Sequence, residues 1–578
     1  MNHSTQRRRL LVGTVAALLA IVPACGSDDD DNGASATDAP APATDAAATT
    51  EPTSGSDAPA ATDAPDATDA PAATTEPAAG TTPDTLAPDS GTDCVAPGEY
   101  DSDGTFTFAY TTDTRSFDPN QIGAASDLLY LFPLYDTLMY ETTQGVLEGQ
   151  LVESWEVAED GASTTLTLRP GLTFHDGTPL DAAAVVANLD RARNFEGGFN
   201  QAALASIDSV EATSDLDVVI TVSGSVTSLL SSLSGAAGMM VSPAAFELDH
   251  VEMAKVGGSG AFDLTDFQSG VEARYTKIAD YWDAEAYGFN ELVIPLIGDP
   301  NARLNALLTG DIDATLGGGS LNTAAADAGL GVCTGESVSA VTLTLNTARA
   351  EFDDVRVRQA LNYAIDREAI TEVIFDDLCV ANSQRFPSWF PAASPDIAPD
   401  FYSYDPDKAR ELLAEAGVDG FSFEIITPAG VGAYQPLAEV LQQYYGEIGL
   451  DAQIVPITDL GPILEAFRVA KSADSHLGPI VTTEPSAYLA SFYLSDGVNN
   501  PGGYEAPGMR DLFDQLAAAT TPEQQAPLYA AIAELATTEA YPQVVICNNV
   551  QSYVAGTNIG GLEIYYNNVR NFRHVTVD

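Results

Sequence analysis

The chain predicts an α/β fold divided into more than one domain. Three observations carry this. Short alternating polar and apolar stretches rich in Thr, Val and Ile are interleaved with amphipathic segments that open on Asp or Thr and close on Gly. About 485 residues remain after a low-complexity start, more than one core usually organises. The 45% apolar content is enough to build two or three cores.

The start is read first. Arg7-Arg8-Arg9 precede a short apolar run, Leu10–Ala24, that ends in Val22-Pro23-Ala24-Cys25. A positive start, an apolar stretch and small residues before a cut site make an export signal. The run is shorter than the roughly 20 residues a spanning helix needs. Val22-Pro23-Ala24-Cys25 resembles the bacterial lipoprotein signal, which implies that residues 1–24 are removed and that Cys25 carries lipid. No later segment reads as a transmembrane helix. Residues 26–93 hold fifteen Asp or Glu and no Lys or Arg, with imperfect Ala-Pro-Ala-Thr-Asp repeats. Such a stretch cannot repay the entropy of ordering. The reading for 25–93 is a disordered acidic tether, its ends roughly 45 Å apart as a flexible coil.

The folded part follows. Thr105–Tyr110 reads as a first strand and Thr164–Leu168 as a half-buried one. Gly177 gives a turn, Thr178 is placed as the cap of a helix over 179–192, and Asp181 as its capping-box partner. Glu211–Val222 reads as strands around an Asp215-Leu216-Asp217 turn. A helix beginning near Asp354 carries Val357, Ala360, Leu361, Ala364 and Ile365 inward. Asp405-Pro406 caps a helix ended by Gly417. Phe421–Ile426 is a strand, Leu437–Ile448 a helix, Asp451–Pro456 a strand, and Thr521-Pro522 opens a last helix.

Charge excludes some functions. The whole chain carries 83 acidic and 23 basic residues, a formal charge of −60. The acidity persists beyond the tether, so nucleic acid is a poor partner, whereas a cation is favoured by the field. Cys94, Cys333, Cys379 and Cys547 would allow two disulfides outside the cell, with three pairings open. Their spacing, and the dispersed His175, His250, His476 and His574, match no metal site. No Gly-x-Ser-x-Gly elbow occurs. His175-Asp176 precedes a Gly turn and reads as scaffold. No catalytic residue and no cofactor are expected. Arg356, Arg358, Asp366 and Arg367 are read as helix-surface ion pairs at three- and four-residue spacing. Tyr281-Trp282 is read as core packing, and Gly258-Ser259-Gly260 as a backbone turn.

Five patches then carry a family resemblance. They are Ser116-Phe117-Asp118-Pro119 with Leu134–Leu138; Leu151-Val152-Glu153-Ser154-Trp155 continuing into Leu168–Leu180; Gly258–Phe262 ending in Asp280-Tyr281-Trp282; Leu307–Asp313; and Asn346 with Phe352–Arg367. Together they make the chain resemble the family 5 extracellular solute-binding proteins of bacterial ABC importers, the peptide/nickel-type receptors. The resemblance implies a two-lobed periplasmic-binding-protein-like fold with a hinge and an extra subdomain in lobe one. It places lobe one at 95–134, its extra subdomain at 135–215, its second part at 216–337, lobe two at 338–547, and a return segment to lobe one at 548–578. It implies a monomeric receptor, not an enzyme, that captures a small solute and delivers it to ABC permease subunits, held on the outer face of the cell membrane by its N-terminal lipid. An oligopeptide or dipeptide is the implied solute. A sugar, opine or metal chelate is the alternative, as is a ligand sensor without transport.

Ligand contacts are expected from Trp389, between Pro387 and Pro391 in a cleft-facing loop, and from Glu484, aligned with an acidic group that holds the amino end of a peptide. Tyr488 and Asn500 follow in the same stretch. Two departures from the family stand out. Gly-Ser-Gly-Ala-Phe replaces Gly-Thr-Gly-Pro-Phe, and Thr482-Thr483-Glu484-Pro485 stands where peptide receptors carry an Asp-rich loop.

Overall fold

A computed structural model gives the structure over residues 103–578, apart from 123, 124, 202, 377, 431, 459, 481–484 and 520. The expected Cys25, the tether and Glu484 lie outside the described residues.

The architecture is mixed α/β and two-lobed. One sheet of eleven strands runs through it. At one end, Asp451–Ile457, Ser422–Pro428 and Ser475–Ile480 lie side by side. At the other lie Ala314–Leu316, Thr105–Ala109, Glu291–Pro295, Glu272–Lys277 and Phe262–Gln268. Two long antiparallel strands, Gly331–Leu345 and Gln543–Ala555, join the two groups. Their ladder is regular from Gly331 to Glu336, breaks, and resumes at Ala340 opposite Asn548. A bulge of this kind bends and twists a strand pair, and it falls where the chain passes from one strand group to the other.

Each group has its own core. Phe106, Phe108, Tyr275, Phe289 and Phe572 fill one. Val341, Leu343, Val357, Leu361, Leu437 and Leu441 fill the other. A further four-stranded antiparallel sheet, formed by Val152–Val157, Ser163–Leu168, Asp217–Val222 and Ile207–Ala212, packs on the helix Ala182–Asn194 over Leu166, Val185, Leu189 and Ile220. Strand Ser163–Leu168 buries every second residue, the alternation of a sheet with one covered face.

Two local readings need correction. Helix Ala182–Asn194 starts later than expected, and its N-cap is Asp181, whose carboxylate accepts from Ala184 N. Thr178 is drawn away because Asp176 Oδ1 accepts both its N–H and its hydroxyl, closing the turn before the helix. The arginines of the Asp354 helix are not surface ion pairs throughout. Arg356 pairs with Asp354, which caps the helix, and Asp366 caps the next one. Arg358 is fully buried and donates to the carbonyls of Phe352, Asp353, Glu539 and Ala540. Glu539 and Ala540 end the helix Pro522–Thr538, where a cation meets the negative end of the helix dipole. Arg367, also buried, donates to the carbonyls of Val545, Asn362 and Tyr402.

Of the other scaffold readings, the core packing expected of Tyr281-Trp282 holds for Tyr281 alone: Trp282 is 38% exposed and is held at the surface by its indole N–H bond to Asp136. Asp405 caps the helix Pro406–Glu415, and Gly417 takes positive φ. At Gly258 and Gly260 any Cβ would collide, with the His175 ring and with the backbone of Pro133 and Leu134 respectively. Tyr281 OH and Trp282 Nε1 both donate to buried Asp136, which also accepts from Gln150. Cys379 and Cys547 form a disulfide between adjacent strands, and Cys333 is also disulfide-bonded. No helix among the described residues is long and apolar enough to cross a membrane.

Candidate solute-binding chamber

A hairpin, a helix and the closing segment of the chain converge beside the hinge. Strands Met139–Glu141 and Leu147–Gly149 form the hairpin. Its turn needs Gly145, at φ +80°, where a Cβ would press on the Tyr566 ring. Helix Val226–Ser232, capped by Ser225, presents Ser231. Together with residues 565–571 they line an open pocket of about 70 Å³ whose walls include Phe132, Tyr140, Glu141, Ser231, Tyr565 and Asn567.

Its polar groups are ordered. Tyr140 OH and Tyr565 OH lie 2.7 Å apart, their rings edge to face, and Tyr565 OH reaches Glu563 at 3.2 Å. Glu141 is buried, with 8% of its surface exposed. Its carboxylate accepts from Ser231 Oγ, from Tyr566 OH at 2.7 Å and from Asn567 Nδ2 at 3.3 Å.

Tyr566 links this wall to the loop that carries Arg385, Trp389 and Phe390. Its ring stacks on Phe390 at 5.5 Å, and its carbonyl accepts from Val338 N on the hinge strand. Trp389 packs edge-on against Phe390 and donates its indole N–H to Glu336 at 2.8 Å. Burial raises the Glu336 carboxyl above its ordinary range, with the indole hydrogen bond opposing the shift. Arg385, in the same loop, is buried, donates to Val338 O and lies over the Tyr488 ring at 4.3 Å. Ser228 Oγ and Ser486 Oγ, 258 residues apart in the chain, lie 3.2 Å from each other.

The expected contact residues fall differently around this chamber. Trp389 does not line the chamber and is linked to it only through Phe390 and Tyr566. Tyr488 is buried beneath Arg385, in a cluster with Phe386 and Phe390. Asn500 is buried and its amide is spent on its own loop, donating to Leu494 O and Tyr504 O and accepting from Tyr504 N. Glu484 is outside the described residues. Sequence reasoning missed Tyr140, Glu141, Arg385, Tyr565 and Tyr566. The signals available were the Tyr140-Glu141 pair, one residue beyond the Leu134–Leu138 patch, and the Tyr-Tyr-Asn-Asn run in the closing segment.

A larger hollow, about 240 Å³, opens between Asp160–Ala162, Ser223–Thr227 and Ala517–Ala519. Backbone and small side chains line it. Solute sites favour aromatic walls with a few placed polar groups, so the smaller chamber is the better candidate despite its size.

Comparison with known proteins agrees with this architecture. The chain is 30% identical over 330 residues to the glutathione-binding protein GsiB of Escherichia coli (strain K12), across 53% of this chain and 60% of that protein. It thus spans about 60% of the length of the curated relatives it matches. Two solved structures share the fold. NikA from Brucella suis, in complex with Fe(III)-EDTA, is 22% identical with a TM-score of 0.73, covering 82% of this chain and all of that one. DppA from Helicobacter pylori, in complex with peptide STSA, is 22% identical with a TM-score of 0.68, covering 82% and 98%. The family model for the bacterial extracellular solute-binding proteins, family 5, matches residues 146–500. With more than half of the chain matched in that way, the protein belongs to the family 5 bacterial extracellular solute-binding proteins.

Proposed function

We propose that this chain is the extracytoplasmic receptor of an ABC importer, a monomer that captures a small solute between its lobes and presents it to permease subunits. The observation that carries this reading is the chamber beside the hinge. Its floor comes from lobe one, and the Phe390–Tyr566 stack ties it to the lobe-two loop that bears Trp389. A solute touching both sides would favour the closed arrangement, because a ligand shifts an equilibrium toward the state it contacts more. No bond is made or broken in this cycle, and no cofactor is needed.

The solute is a peptide. A relative is named as glutathione-binding and a structural neighbour holds a peptide, which supports that class. The proposed lobe limits are 95–337 with 548–578, the subdomain 135–215 within them, and 338–547. The ladder break between Glu336 and Ala340 supports the hinge position. Lipid on Cys25 and the acidic tether would hold the receptor on the outer face of the membrane. The roles of Trp389, Glu484, Tyr488 and Asn500 as ligand contacts remain part of the proposal, with Trp389 the one best placed.

Calorimetry on the chain from residue 94 onward, titrated with pooled di- to tetrapeptides and separately with sugars, tests it. Peptide heat that saturates at one site per chain is expected. Tight sugar binding with no peptide binding would overturn the peptide class. Incorporation of labelled palmitate in the wild type but not in Cys25→Ser tests the anchor.

A further inference from the structure

We infer that the chain carries a second site, apart from the chamber, where Arg468, His476, Thr342 and Thr344 take a small oxyanion. None of these residues lines the chamber. Strands Gly331–Leu345 and Ser475–Ile480 run antiparallel, with Thr344 opposite His476 and Thr342 opposite Gly478. Opposed residues of such a pair share a face. Val341, Leu343, Leu345 and Leu477 point the other way, into the core. Thr342, Thr344 and His476 therefore line one face together. A Cβ at Gly478 would come within 2.7 Å of His476 Nε2, so the imidazole lies over the glycine that faces Thr342. The Oγ1 atoms of Thr342 and Thr344 and the Nε2 atom of His476 are buried, and among the described residues none has a hydrogen-bond partner.

A cation stands beside them. Residues Glu465–Val469 form a π-helical turn, a form often met at functional sites. The turn sets Phe467 against the His476 ring at 5.6 Å, with Arg468 the next residue. Arg468 is half-buried, and among the described residues no carboxylate or carbonyl pairs with it. Burial lowers its guanidinium from the ordinary value, and no acid opposes the shift. Burial, and after it the Arg468 charge, push the His476 imidazole down to about 4. The ring is then neutral at pH 7 and can carry a proton on Nε2 to donate. Every unmatched atom of the cluster can thus act as a donor. An oxyanion accepts from hydroxyl, imidazole and guanidinium at once, and its bond to the guanidinium is charge-assisted. Water would satisfy the hydroxyls but leave the half-buried charge uncompensated. A cation would meet Arg468 and no carboxylate. The chain, at a net charge of −60, repels anions from a distance, so the site works by contact and not by steering.

Phosphate, sulfate and acetate, each titrated into the purified full chain at pH 7 and at an ionic strength held constant with chloride, test this. Calorimetry reads the binding, and the imidazole NMR signals report where it occurs, with His476→Gln identifying the His476 signal. At least one of these anions should bind at one site per chain and move that signal saturably, where chloride does not. Binding of phosphate or sulfate marks a site for a free ion. Binding of acetate alone marks a site for a carboxylate borne by a larger molecule. Arg468→Gln should weaken binding by roughly 10- to 100-fold, the range for a hydrogen bond to a charged group. No saturable binding by any of them, an equal response to chloride, movement of other histidine signals but not of His476, or unchanged binding by Arg468→Gln overturns the inference. The receptor reading rests on the chamber and survives each of these results. Thermal melting checks that Arg468→Gln is folded; if it is not, the His476 signal of the wild type decides.

Discussion

Cutting the covalent link between Cys379 and Cys547 has consequences that can be worked from the structure. The bond closes a segment of 168 residues and ties the short strand Cys379–Ala381 to the hinge strand Gln543–Ala555. In the chain-entropy treatment, closing a loop that long removes about 5 kcal/mol of denatured-state freedom at 25 °C. Native disulfides commonly contribute less, about 2–4 kcal/mol. Both cysteines are buried, so Ala in their place leaves no unpaired hydroxyl in the core. The double variant Cys379→Ala/Cys547→Ala should therefore lose about 2–5 kcal/mol in its urea transition. The strand also leads into the loop that carries Arg385, Trp389 and Phe390, so solute affinity should fall with stability. A double variant within about 0.5 kcal/mol of wild type would refute the reasoning, because the cross-link would then constrain nothing that the sheet does not already hold.

Four further outcomes follow from other contacts. Arg191→Met should destabilise by about 3–5 kcal/mol in urea unfolding, because it leaves Asp118, 1% exposed and held at 2.6 Å, as an uncompensated buried charge. Burial pushes the Asp136 carboxyl up to about 6 from its ordinary 3.8. The native state then keeps a proton that the unfolded chain has released between those values. Stability should fall as pH rises from about 4 to about 6, by on the order of 3 kcal/mol, and Asp136→Asn should flatten that slope when urea midpoints are compared across pH. Gly260→Ala would push a methyl within 2.6 Å of Pro133 O, so a loss of soluble folded protein, or a lower melting temperature, is expected. Glu336→Gln keeps an acceptor for the Trp389 indole while removing the charge. Tryptophan fluorescence should stay near wild type, whereas Glu336→Leu should alter it.

Much of the fold was legible because local chemistry and tertiary packing agree. Asp354, Asp405 and Thr521 announce helices, and each caps one. The apolar stripe of Val357, Ala360 and Leu361 faces the core it implied. The failures have physical causes. Arg358 and Arg367 carry charge in an amphipathic pattern and so look like surface residues. Their partners are carbonyls up to 182 residues away, which spacing along one helix cannot reveal. Thr178 and Asp181 both suit a helix cap, and only the competing hydrogen bonds that Thr178 donates to Asp176 decide between them.

The site was harder to read for the same reason. Glu141 and Tyr566 are 425 residues apart in the chain, yet they share one hydrogen bond of 2.7 Å. No local pattern marks either as paired. Asn500 is a polar residue in a loop whose side chain is hydrogen-bonded within that same loop, a pairing that no sequence pattern announces.

The most direct test of the account is a crystal structure of the chain purified with whatever solute it retains from the cell. The account predicts solute density against Tyr140, Glu141 and Tyr565, with the Trp389 loop closed over it. Solute bound in the larger hollow near Asp160, or anywhere outside the space between the two lobes, would contradict it.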